Sequence, residues 1–111
     1  TLNYQKYQKI QQKIIDTLDL GKYVIVKGRG ENRTGMKIML HHLTDTAHQT
    51  NFENCVADVN IPVGEVFTSP VLTGTEGILH VTRVFLNGLE FRDLSLQFED
   101  GKVKDYTCSN F

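Results

Sequence analysis

The sequence predicts an α+β fold, in which one N-terminal helix is followed by a mainly antiparallel β-sheet or barrel-like domain with C-terminal hairpins. Three observations predict it. Apolar residues recur every three or four positions near the N-terminus, short β-branched and aromatic runs follow, and Asn-Gly and Asp-Gly pairs separate the last three runs. With 111 residues, a formal charge of −1 and 40% hydrophobic residues, the chain is expected to form a single domain over residues 1–111.

The first predicted element is a helix over residues 2–20. This stretch lacks proline and glycine, and its apolar positions are spaced by 3, 4 and 4 residues, which places on one helix face Tyr7, Ile10, Ile14 and Leu18. Gly21 comes directly afterwards, where helices commonly end on a residue with a left-handed backbone conformation. We therefore expect the helix to stop at Gly21.

Six strands are expected after the helix, in short runs rich in β-branched and aromatic residues. They cover residues 23–26, 36–40, 65–68, 78–86, 89–98 and 102–108. Asn87-Gly88 and Asp100-Gly101 are expected as tight hairpin turns, because asparagine, aspartate and glycine tolerate a positive φ. Residues 41–51 are expected to form a polar surface loop, and residues 52–60 match no clear template.

Several classes of function are disfavoured by composition. A net charge of −1 lacks the excess of Lys and Arg that nucleic-acid binding requires. No apolar stretch of membrane-spanning length and no signal segment is present, so a cytoplasmic location is expected. Cys55 and Cys108 are too few and too far apart for a disulfide framework, and both are expected to be reduced and buried. The glycines at residues 28–30 precede a strand rather than a helix, so they indicate a hairpin connection instead of a phosphate-binding loop.

The histidines suggest a metal site only weakly. His41, His42 and His48, with Asp45 between them, lie in the predicted polar loop, where we expect solvated side chains rather than a set of ligands held in place. His80 lies within a strand and is expected to be a core or edge histidine.

Glu65 is the more informative acidic residue. Glycine and proline flank its short strand, and a carboxylate in such an apolar segment either faces water or pairs with a cation, because an unpaired buried charge costs several kcal/mol. The pattern alone favours the exposed position for Glu65.

Residues 60–70 read NIPVGEVFTSP, and this segment resembles a specific signature. It is similar to the N-[IM]-P-x-G-E-V-F-T-x-P motif of the aminopeptidase T, aminopeptidase S and PepS group of bacterial metalloaminopeptidases. The similarity extends over most of the chain and includes residues 52–59, 77–81, 98–103 and 105–108.

The resemblance implies one site residue. In this family the glutamate of the motif is a ligand of a two-metal site, which assigns Glu65 as a metal ligand and assigns no catalytic residue. The implied cofactors are two divalent ions (Zn, Co, Mn or Mg), and the implied reaction removes N-terminal residues from peptides. The family's other ligands, a Glu, His residues and an Asp, together with an active-site Tyr, lie downstream of the matched region.

We therefore expect an excised segment of a larger metalloaminopeptidase, inactive alone and binding metal weakly or not at all. Its implied partners are peptide substrates, which the parent enzyme would bind. We expect it to bind neither nucleic acid nor a membrane. A β-face left bare in such a segment favours self-association, so a homo-oligomer is possible. The alternative is a freestanding β-rich binding or interaction module without catalytic activity.

Overall fold

The structure is a computed structural model that describes residues 4–56 and 64–111. It confirms the predicted α+β class. One helix is followed by strands that pair antiparallel throughout. The elements are α1 (Tyr4–Leu18), β1 (Tyr23–Lys27), β2 (Gly35–Met39), β3 (Glu53–Cys55), β4 (Glu65–Phe67), β5 (Val71–Leu86), β6 (Leu89–Glu99) and β7 (Lys102–Thr107). Among these described residues, no helix has the length and apolar character needed to cross a lipid bilayer.

The chain divides into two compact units. The helical unit comprises Thr1–Lys22 and Leu40–Pro70, and the sheet unit comprises Tyr23–Met39 and Val71–Phe111. The helical unit contains α1 and the two-stranded sheet β3-β4. The sheet unit contains five strands in the order β1-β2-β5-β6-β7. The single domain over residues 1–111 stays a prediction.

Helix α1 forms as predicted, but it buries a different face. The buried helical residues are Gln11 and Ile15, whereas the predicted apolar stripe lies largely in solvent, with exposed fractions of 41% for Tyr7, 48% for Ile10 and 45% for Ile14. The helix ends at Leu18, earlier than predicted, and its last turn is closed by bonds from the Leu20 and Gly21 N–H groups. Gly21 is not among the residues with positive φ, so the left-handed ending expected for it is wrong.

Both predicted hairpin turns of the sheet unit are confirmed. The turn between β5 and β6 has φ of 52° at Asn87 and 80° at Gly88, and the turn between β6 and β7 has 49° at Asp100 and 72° at Gly101. Positive φ at both central residues matches the right-handed twist of the flanking strands. Within the described residues, β1 and β7 each pair with one neighbour, so the sheet is open and does not close into a barrel.

The strands differ from the prediction by more than one residue in two places. Strand β5 begins at Val71 instead of residue 78, because its early part continues through two glycines of positive φ, Gly74 and Gly77. At Gly77 a Cβ would lie 2.1 Å from the Gly35 carbonyl oxygen, so β2 can approach only a glycine there. Strand β3, in the stretch without a clear template, has three residues and pairs only with β4.

His80 connects the β1-β2 loop to the sheet. Its side chain is 2% exposed, its Nδ1 accepts the Arg33 N–H at 3.0 Å, and its Nε2 lies 3.2 Å from Asp93 Oδ1. Since Nδ1 is the acceptor, the ring hydrogen is on Nε2 and is donated to Asp93. Thr34 Oγ1 accepts the His80 N–H at 2.9 Å and donates to its carbonyl oxygen at 3.1 Å. His80 is thus a structural histidine of the core.

Replacing His80 with Leu is expected to destabilise the protein by about 1–3 kcal/mol, because the Arg33 N–H loses its acceptor in a partly buried position. Urea denaturation would measure the effect. Asp93→Asn is the control and should cost less, because the Asp93 side chain is 54% exposed and an amide oxygen can still accept from Nε2. Equal stability of His80→Leu and the wild type would contradict this role.

Candidate metal-ligand site

The candidate site is the β3-β4 pair of the helical unit, where Cys55 lies opposite Glu65 and Asn54 lies opposite Val66. Residues 57–63, which include the first four positions of the NIPVGEVFTSP motif, lie outside the described residues. The described part of the motif begins at Gly64 and includes the whole of β4. The Glu65 side chain can therefore be placed, whereas Pro62 lies outside the described residues.

Gln11 of α1 holds the two strands together from one side. Its amide nitrogen lies 2.7 Å from Asn54 Oδ1, 3.0 Å from the Cys55 carbonyl oxygen and 3.2 Å from the Glu65 carbonyl oxygen. Gln11 is 7% exposed, so these bonds form largely away from water. Because the amide donates to both strands, it fixes the backbone on which the Glu65 carboxylate is carried.

Asn54 completes the connection between the helix and the strand pair. Its Nδ2 donates to the Gln8 carbonyl oxygen at 2.9 Å and lies 3.3 Å from Gln12 Oε1. Its Oδ1 receives the bond from Gln11, so both the donor and the acceptor end of the Asn54 amide are used. Sequence reasoning missed this network, because neither residue has an apolar or charged pattern that marks it; the only signal was the four-residue spacing of Gln11 and Ile15.

The structure places Glu65 as an exposed residue, the position that its local pattern favoured. A carboxylate oxygen is a ligand type that divalent ions accept. Within residues 4–56 and 64–111, however, no group of three or more His, Cys, Asp or Glu side chains is placed to hold a metal ion. The described residues therefore do not form a two-metal site by themselves, and the ligand role of Glu65 stays a prediction.

The histidine loop is exposed, as predicted, but it has a hydrogen-bonded frame that the sequence did not indicate. The backbone N–H groups of Thr44 and Asp45 both donate to Gln49 Oε1 at 2.9 Å. His48 Nδ1 lies 2.7 Å from Asp45 Oδ2, and the two side chains are 82% and 52% exposed. Asp45 is thus engaged in shaping the loop. His41 and His42 are exposed beside it.

The cysteines form no disulfide, as expected, but both are half-buried instead of fully buried. Cys55 lies in β3 beside the candidate ligand, and Cys108 follows β7. The loop at residues 28–30 joins β1 to β2, which confirms a hairpin connection.

The main electrostatic cluster of the sheet unit is centred on Glu90. The Arg92 Nε lies 2.8 Å and the Arg83 Nε 3.1 Å from Glu90 Oε1. The hydrogen bond from Arg92, and then the charges of Arg83 and Arg92, lower the pKa of Glu90 below its usual value. The same pair raises the pKa of Arg92.

A pH titration should show that Arg92 lowers the pKa of Glu90 more than Arg83 does. Since the pKa of Glu90 is lowered in the folded state, its contribution to stability is present above the ordinary glutamate pKa and is lost as the pH falls through the folded value. We expect Arg92→Gln to raise the pKa of Glu90 more than Arg83→Gln does, as followed by carboxyl NMR shifts. A larger shift in Arg83→Gln would contradict the assignment.

The family comparison tests the resemblance that the motif carries. A model of the thermophilic metalloprotease (M29) family matches residues 2–110. The chain belongs to the thermophilic metalloprotease family. This M29 membership supports a metal-dependent protease, a hydrolase, as the parent activity, and M29 proteins use divalent metal ions. None of the curated proteins compared with the chain matches it.

Proposed function

We propose that this M29 chain is the segment of a dinuclear metal-dependent aminopeptidase that supplies one metal-ligand carboxylate, Glu65, with the scaffold that carries it. The observation that supports the proposal most is the family match over residues 2–110, which includes the whole NIPVGEVFTSP motif. The remaining ligands and the peptide-binding residues would come from outside the 111 residues. The native location would be the cytoplasm.

The contacts of Glu65 are consistent with a ligand that is completed from elsewhere. Its backbone is fixed by β3 and by Gln11, while its carboxylate is exposed. Because the backbone is already fixed, only the rotamer freedom of the exposed side chain is lost when other ligands meet it at an ion.

The test uses a longer natural chain that contains this sequence. We expect it to cleave an N-terminal residue from an amino-acid amide or a short peptide when Zn²⁺, Co²⁺ or Mn²⁺ is supplied, and to lose this activity in a chelator. Metal-independent cleavage, or cleavage only at internal peptide bonds, would contradict the aminopeptidase proposal.

The competing function is a freestanding β-rich interaction module, which the open sheet with half-exposed apolar strands favours. The two functions predict different continuations of the reading frame after Phe111. A frame that continues past Phe111 into further Glu, His and Asp positions supports the enzyme. A stop codon shortly after Phe111 supports the module.

A further inference from the structure

Both ring nitrogens of His80 form hydrogen bonds in a position almost closed to water. The side chain is 2% exposed, Nδ1 accepts the Arg33 N–H at 3.0 Å, and Nε2 lies 3.2 Å from Asp93 Oδ1. A neutral imidazole satisfies both contacts, because one nitrogen accepts while the other donates. All three residues belong to the sheet unit, so these contacts are complete within the described residues.

Three consecutive residues of the β1-β2 loop are attached to His80. Besides the Arg33 N–H on the ring, Asn32 Nδ2 and Thr34 Oγ1 donate to the His80 carbonyl oxygen at 3.0 and 3.1 Å. The Arg33 guanidinium extends further and donates to Ser95 Oγ of β6 at 3.1 Å. Because Arg33 lies between the other two attachment points, a displacement at Nδ1 affects the whole attachment of the loop.

Two charged residues face the ring, Arg33 from the loop and Asp93 from β6. The other charged residues of the loop, Arg29 and Glu31, are exposed. The adjoining positions of β2, β5 and β6 carry no titratable side chain; they are Gly35, Leu79, Val81, Leu94 and Ser95. The ring therefore has a hydrogen-bond donor at Nδ1 and a carboxylate at Nε2.

Asp93 contacts His80 from a strained backbone position. Its φ is 48°, in the left-handed region, and the pairing of β5 with β6 skips this residue. Residues held in such conformations persist only where their surroundings fix them, and they are common in switch regions. The Asp93 side chain is 54% exposed, so its carboxylate can offset a charge on the buried ring without being buried itself.

We propose that His80 is a pH-sensitive switch and that its protonation releases the β1-β2 loop from the sheet. The second ring hydrogen is added at Nδ1, where it meets the Arg33 N–H. Two donors then face each other where one bond now forms. Asp93 accepts from Nε2 in both states, so the ring keeps that contact and Arg33 is the group displaced. The bonds of Asn32 and Thr34 to the His80 backbone are lost with it.

Hydrogen exchange of the Arg33 amide tests the switch. Unperturbed histidines change charge between about pH 5 and 8, so protection is compared at these two values and corrected for the intrinsic effect of pH on exchange. We expect Arg33 protection to fall about tenfold or more at the lower pH, because a partly buried donor loses its acceptor, while amides of the β5-β6 ladder keep theirs. His80→Gln should stay protected at both values, because an amide accepts from Arg33 and donates to Asp93 but does not titrate.

His48→Gln is the matched control, because His48 is an 82% exposed histidine of the helical unit, and this variant should respond as the wild type does. Asp93→Asn removes the carboxylate that offsets the charge of the protonated ring, so its loop should be released only at a lower pH. This variant decides the question if His80→Gln fails to fold. The proposal is overturned by unchanged Arg33 protection in the wild type, by an equal loss in His80→Gln or in the β5-β6 ladder, by an abolished response in His48→Gln, or by release of the Asp93→Asn loop at the same or a higher pH.

Discussion

Replacing Glu65 with Gln in the longer chain that we propose is expected to lower amide hydrolysis at least about a hundredfold, because even the loss of a residue that only supports a metal ligand can cost up to about a hundredfold. The amide keeps the size of the side chain but removes the negative charge that a divalent ion prefers. Because Glu65 is exposed and its backbone contacts do not involve the carboxylate, the folded structure should be unchanged. The loss should therefore appear in activity while the urea denaturation midpoint stays the same.

Glu53→Gln is the matched control. Glu53 is an exposed carboxylate on β3, the strand paired with β4, so the same change is made in the same two-stranded sheet. We expect its activity to equal that of the wild type. A Glu65→Gln enzyme as active as the Glu53→Gln enzyme would remove Glu65 from the metal-ligand set.

The second large effect is expected at Gln11. Gln11→Leu should destabilise the helical unit by about 1–3 kcal/mol, because Asn54 Oδ1 and the carbonyl oxygens of Cys55 and Glu65 all lose this donor. Gln11→Glu should be worse at neutral pH, since a buried carboxylate offers only acceptors to three oxygen atoms. Lowering the pH should partly restore Gln11→Glu, because a protonated carboxyl regains one donor.

Gln5→Leu provides the control for Gln11, because Gln5 is an exposed glutamine on the same helix. Urea denaturation followed by NMR signals of β3 and β4 would separate the helical unit from the sheet unit. If Gln11→Leu and Gln5→Leu have the same midpoint, the amide does not hold the strand pair.

The parts of the fold that the sequence predicted depend on local chemistry. Asn87-Gly88 and Asp100-Gly101 adopt positive φ because those residue types tolerate it, and this requires no knowledge of distant contacts. Helix α1 likewise forms from its own composition. Its buried face could not be predicted in the same way, because the choice between the Tyr7-Ile10-Ile14 stripe and the Gln11-Ile15 face depends on the strands it packs against.

The candidate site shows the same limit. Glu65 was found through its motif, whereas Gln11, 54 residues earlier in the chain, became visible only through its contact with the Glu65 carbonyl oxygen. The start of β5 was missed because Gly74 and Gly77 interrupt the β-forming pattern, while Gly77 is required by the close approach of Gly35. Long-range contacts therefore determine the buried face of α1, the role of Gln11 and the start of β5.

Metal content of the purified longer chain tests the ligand role of Glu65 most directly. After loading with Zn²⁺ and removal of free metal, we expect two ions per chain in the wild type and in Glu53→Gln, and fewer in Glu65→Gln. Two tightly held ions in Glu65→Gln would contradict the assignment of this carboxylate to the metal site.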